Sequence, residues 1–154
     1  MTILKSVMIG LVLSASLSAQ QELDRVLVRF GNDMVTQLDV RQARMLKLFA
    51  GVADSDQAYV DALVNRRLML ADLRRASVAE PAPDAVEAKY RDWQARVGPG
   101  ATDLLEQAGM TDAELRGWLR DDLRLQTYLS ERFGGRDAEI DSWLSVLRQR
   151  AGLK

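Results

Sequence analysis

Between Ser55 and Ala76 the chain runs without a glycine or proline, and its hydrophobic pattern leaves few choices of fold. At helical spacing the polar residues Gln57, Asp61, Asn65 and Asp72 fall on one narrow stripe. Tyr59, Val60, Leu63, Val64, Leu68, Met69, Leu70 and Leu73 spread over the remaining arc. A helix apolar around most of its circumference cannot rest on a surface and needs cover on several sides. The rest of the chain must therefore supply that cover, which points to a helical bundle with this segment at its centre. Arg74 and Arg75 at its end suit the negative pole of a helix.

Local punctuation divides the remainder. Val26 to Phe30 reads as a short strand, Gly31-Asn32-Asp33 as a tight turn and Met34-Val35 as a returning strand, giving an N-terminal hairpin. Thr36 with Asp39 is a capping pattern that opens a helix expected to run to about Ala50 and to break at Gly51. Pro81 and Pro83 interrupt the helical pattern before a helix from about Asp84 to Val97, which Gly98-Pro99-Gly100 stops. A short helix is expected around Asp103 to Ala108, followed by a turn at Gly109. Thr111 and Glu114 form a second capping box at the start of a long helix reaching about Arg132. After Gly134-Gly135, a last helix from Asp137 to Ala151 carries Ile140, Trp143, Leu144 and Leu147 on one face. The expected class is all-α, a compact bundle of about six helices with a short N-terminal β-hairpin. The string Asp112 to Leu119 nearly repeats at Asp137 to Leu144, as amphipathic helices that open with acids tend to converge on such patterns.

At the N-terminus, Lys5 precedes an apolar run from Val7 to Ala15 that ends in the small residues Ser16, Ser18 and Ala19. That is the layout of a cleavable secretory signal, and the run is too short to span a bilayer. Residues 1–19 are read as a signal peptide cut near Ala19, with cleavage after Ser18 as the alternative. Residues 20–154 then form a single domain, without stable membrane insertion after cleavage. Lys5 is the one charged residue removed, so a formal net charge of −1 becomes −2.

Composition closes several functional classes. The chain has no Cys, which excludes disulfides, thiol catalysis and cysteine-ligated zinc. It has no His, the commonest general base and metal ligand. Charge balance and export argue against nucleic acid as a partner. Asp121 and Asp122 are adjacent and diverge by about 100° on a helix, so they do not converge on one substrate atom. Together with Arg116, Arg120 and Arg124 they read as a solvated, mutually paired face. Arg66 and Arg67 read as the polar flank of the central helix, with their methylenes on the core. No phosphate loop or metal spacing is present; neither a catalytic residue, a cofactor nor a metal is expected.

What remains is apolar surface. Met34, Met45, Met69 and Met110, with Trp93, Trp118, Trp143 and the Tyr and Phe residues, are side chains suited to adaptable contact with varied apolar segments.

The order of parts from Val26 to Phe133 resembles the N-terminal domain of SurA-type periplasmic chaperones, a group related to the helical parts of PrsA, PpiD and trigger factor. The resemblance is carried by three stretches. They are the hairpin from Phe30 to Thr36 leading into Asp39-Val40, the run Ala62 to Leu70 with its charged pair at Arg66-Arg67, and the stretch from Met110 to Leu115 continuing to Gln126 through Leu129. Longer members carry parvulin isomerase domains, which have no counterpart here. The resemblance thus implies chaperone activity without isomerase activity, and a last helix that packs back on the core.

The expected function is that of a periplasmic holding chaperone, not an enzyme. Its partners would be unfolded or partly folded exported polypeptides, outer-membrane proteins among them, bound in an apolar cradle. Met45, Phe49 and Tyr128 are the expected peptide-binding residues, chosen because they lie toward helix ends or beside wide polar arcs. The competing expectation is a non-catalytic adaptor with one dedicated protein partner; a homodimer is left open.

Overall fold

The computed structural model describes residues 24–153. The expected signal peptide lies outside them. The described chain is mostly helical: a two-stranded hairpin is followed by six helices, as the punctuation predicts.

Strands β1 (Val26–Phe30) and β2 (Asp33–Thr36) pair antiparallel, with Phe30 opposite Asp33 and Val28 opposite Val35. Gly31 takes a φ of 53°, the left-handed conformation that the two-residue turn demands. Phe30 and Val35 point into the core, while Leu27 and Met34 stay exposed.

Helix α1 (Gln37–Met45) opens with the expected capping box. The Thr36 hydroxyl accepts from the Asp39 N–H at 3.2 Å, and the Asp39 carboxylate accepts from the Thr36 N–H at 2.8 Å. The helix does not reach Ala50. Leu46 and Leu48 are both buried, and two residues about 200° apart around a helix cannot both face one core. The chain resolves this by leaving the helix at Lys47, a non-glycine residue with a φ of 49°.

Helix α2 (Asp56–Leu73) is the central element, packed against β2, α1 and two later helices, α5 (Asp112–Phe133) and α6 (Asp137–Arg150). Ser55 caps it by accepting from the Ala58 N–H. Tyr59, Val60, Leu63, Val64, Leu68 and Leu73 are buried, whereas Leu70 is only half-buried. The helix ends at Leu73, and Arg74 and Arg75 lie in the turn beyond it. The narrow polar stripe of α2 serves as a docking line. Arg148 of α6 donates to Asn65 at 2.8 Å and to Asp61 at 3.3 Å, and Asp72 accepts from Tyr128 of α5 at 3.3 Å.

Helix α3 (Pro83–Val97) buries Val86, Tyr90 and Trp93 at helical spacing and packs on α5. Helix α4 (Ala101–Ala108) begins two residues earlier than the sequence suggests. Its C-terminal carbonyl at Ala108 accepts from Gln42 of α1 at 3.0 Å. Helix α5 starts at the capping box of Thr111 and Glu114 and buries Leu115, Leu119, Leu125 and Phe133. Gly134 and Gly135, both with positive φ, turn the chain into α6. Of α6 only Leu147 is buried; Ile140, Trp143 and Leu144 are half-buried. Among the described residues no helix is long and apolar enough to cross a membrane.

Candidate functional site: an apolar groove with a charged pair

Helices α2, α5 and α6 leave an open groove of about 350 Å³ between them. Ala62 and Met69 come from α2, Leu125 and Leu129 from α5, and Ile140 and Leu144 from α6. Phe49, on the loop that begins where α1 breaks off, also lines it. The spacing explains the wall on α5: Leu125 and Leu129 are one turn apart and share a face. The size falls in the range of about 300–1,000 Å³ typical of ligand sites.

Arg66 and Asp122 interrupt this apolar lining. The Arg66 Nε and Nη2 both lie 3.1 Å from Asp122 Oδ1, and Nη2 also donates to the Trp118 carbonyl at 3.0 Å. The guanidinium carbon sits 3.6 Å from the Trp118 ring centroid, so the cation rests on an aromatic face. Arg66 is 7% exposed. Burial lowers its pKa, against the pull of Asp122. Burial likewise raises the Asp122 carboxyl above its ordinary value, with Arg66 pulling it back down. Both shifts are costs of desolvation; the short contacts keep the groups paired.

This overturns the surface reading of Arg66, which inserts between α2 and α5 instead of flanking them. Asp122 is half-buried and turns its carboxylate toward Arg66 and not toward the arginines of its own helix. The remaining arginines of the stripe behave differently. Arg116 clamps Glu87 of α3 at 2.6 Å and covers the Tyr90 ring at 3.9 Å, while Arg124 reaches Glu80 at 3.4 Å. Arg120 is exposed.

A second cleft, of about 270 Å³, adjoins the groove and shares Phe49, Asp122 and Gln126 with it. Its far side carries Lys89, Asp92 and Arg96 of α3, so the apolar groove continues into a charged one.

The three expected binding residues do not share one surface. Phe49 lines both the groove and the adjoining cleft, held edge-on by Trp118 at 5.7 Å and Tyr59 at 6.4 Å. Met45 lines a separate cleft beside the hairpin, with Arg25, Leu27 and Val40. Tyr128 packs on Trp143 at 5.8 Å and bonds to Asp72 and Arg132, and it is not among the groove's lining residues. Of the other groove residues, Leu144 is expected only as part of the apolar face of the last helix, and Leu125 and Leu129 are not singled out by the sequence as binding residues. No local signal distinguishes an apolar residue facing a groove from one facing the core.

Among the described residues no three potential metal ligands converge. Comparison with known proteins returned no matching family model, no matching curated protein and no matching solved structure.

Proposed function

We propose that the protein is a periplasmic holding chaperone of SurA type, which shields apolar segments of exported polypeptides in the groove between α2, α5 and α6. The observation that carries this reading is the groove itself. It gives an apolar side chain a place out of water, worth about 25 cal/mol per Å² covered, and it stays open enough for rapid release. An adaptable side chain in the lining supports it too: Met69 is unbranched and fits itself to varied side chains at little cost. The order of hairpin, capped helix and central apolar helix, which resembles the SurA-type N-terminal domain, points the same way.

The test is whether the full chain, freed of its leader, suppresses aggregation of several unrelated unfolded proteins. Suppression across unrelated clients is the expected result. Failure with all of them, alongside tight binding of one envelope protein, would favour a dedicated adaptor instead.

A further inference from the structure

The charged pair in the groove is poorly placed for stability alone. Replacing a buried ion pair by apolar residues of similar size is often neutral or stabilising, so the fold does not require charge here. An apolar groove built only to cover hydrocarbon would also be better without it. The hydrogen bonds show what the pair offers instead. Arg66 Nε donates to Oδ1 of Asp122, while Nη2 donates to the Trp118 carbonyl and lies 3.1 Å from the same Oδ1. Arg66 Nη1 and Asp122 Oδ2 have no hydrogen-bond partner among the described residues, and both side chains line the groove. The Trp118 ring beneath the guanidinium fixes its plane.

An unused N–H donor and an unused carboxylate oxygen on two side chains that line the same groove match one chemical group above others, the main chain of a polypeptide, which offers carbonyl acceptors and N–H donors along its length. From this complementarity we infer that Arg66 and Asp122 read the backbone of the bound segment, Nη1 donating to a peptide carbonyl and Oδ2 accepting from a peptide N–H. The inference rests on the groove being the binding site, and it names what that site selects.

Side chains of the segment then fill the apolar part between Met69, Leu129 and Leu144, and selection among them is loose. The amide is the constant feature. A fatty acid fits less well: its carboxylate satisfies Nη1 but meets the Asp122 charge at the same place. Because the adjoining cleft shares Asp122 with the groove, a chain crossing the pair has room on both sides.

The experiment uses the full chain without its leader and three probes: a short fluorescent apolar peptide, the same peptide with N-methylated amides, and the uncharged apolar dye N-phenyl-1-naphthylamine. Arg66→Leu/Asp122→Leu should still take up the dye as the wild type does, and should bind the peptide about a hundredfold more weakly, the size of two lost buried hydrogen bonds. N-methylation removes only the N–H and should weaken binding to the wild type about tenfold, the size of one such bond, and leave the double variant unaffected. Asp122→Asn, which can keep an oxygen on Arg66 but turns a donor toward the groove, provides a second variant with a milder change in packing. It should also lose affinity for the peptide but not for its N-methylated form.

Equal peptide binding by wild type and double variant, with dye uptake intact, would overturn backbone reading while leaving the groove as the site. Laurate displacing the peptide at equal affinity would overturn it in favour of a lipid. A wild type that takes up neither dye nor peptide would remove the groove itself, and this inference with it.

Discussion

Trp93 donates its indole N–H to the main-chain carbonyl of Leu46 across 2.8 Å, with both side chains almost completely buried. The acceptor is the residue at which α1 ends, so one bond from α3 satisfies a carbonyl that the broken helix would otherwise leave bare inside the core. Trp93→Phe keeps an aromatic ring and removes the donor. It should cost about 1–3 kcal/mol, the penalty for an unsatisfied buried carbonyl. Urea unfolding should show a lower midpoint at unchanged slope; an unaltered midpoint would mean that water replaces the indole there.

Placement separates the three aromatic and methionine candidates by experiment. Phe49→Ser should weaken capture of unfolded clients, since Phe49 lines the groove and its neighbouring cleft. Met45→Ser, on a separate cleft, should leave capture unchanged, and Tyr128→Ser should act mainly on stability through its contacts with Trp143 and Asp72. Leu63→Ala is the suitable core control because Leu63 is almost fully buried, with an expected cost of about 2–5 kcal/mol. Equal loss of capture at Met45 and Phe49, with folds intact, would place the site elsewhere.

The ion pair makes a pH-dependent prediction. Asp122 has a folded-state pKa raised above its unfolded value of 3.8, mainly by burial. For such a group the stabilising contribution is complete below 3.8 and is lost as pH rises through the raised value. Arg66→Leu removes the partner that makes the ionised form tolerable. The single variant should therefore lose about 3–5 kcal/mol near neutrality and recover part of it at mildly acidic pH, where Asp122 takes up a proton. Arg66→Leu/Asp122→Leu should be close to wild type at both pH values. Urea midpoints of the three proteins at pH 7 and pH 4.5 check this, and a single variant equally weak at both would contradict it.

Helix α6 is seated more lightly than its apolar stripe suggests. Leu147 is buried, but Ile140, Trp143 and Leu144 are half-buried, and Arg136 at its start makes no side-chain cap. On full burial of one residue and half burial of three, its docking is worth about 5 kcal/mol before entropy. Ending the chain after Gly135 should lower the melting temperature markedly and, by removing Ile140 and Leu144, abolish one wall of the groove. A truncated chain that melts like the full one would show that α6 contributes to the groove and not to the fold.

Element boundaries were legible wherever the cause was local. Thr36 and Asp39, Thr111 and Glu114, Pro83, and the glycines at 31, 98, 109 and 134 act on backbone within one turn, and each element starts or stops beside them. The all-helical class and the central place of α2 also followed from sequence, because an arc of apolar residues that wide is satisfied only by cover on several sides. The end of α1 was not legible. Ala50 looked helical until Leu46 and Leu48 were both drawn into the core, a demand made by α2 and α3 and not by their neighbours in the chain.

The two near-identical strings show the same division. In α5, Leu115 is fully buried and Glu114 completes a capping box; in α6, the matching Ile140 is half-buried and faces the groove, and Glu139 pairs with Arg136 at 3.1 Å. Sequence specified that both segments are amphipathic helices, since periodicity is a property of the segment. Only the tertiary structure decided which apolar face would be core and which a groove wall, and that Arg66 would be buried against Asp122. Burial is set by partners distant in sequence, and a residue's own neighbours carry no record of them.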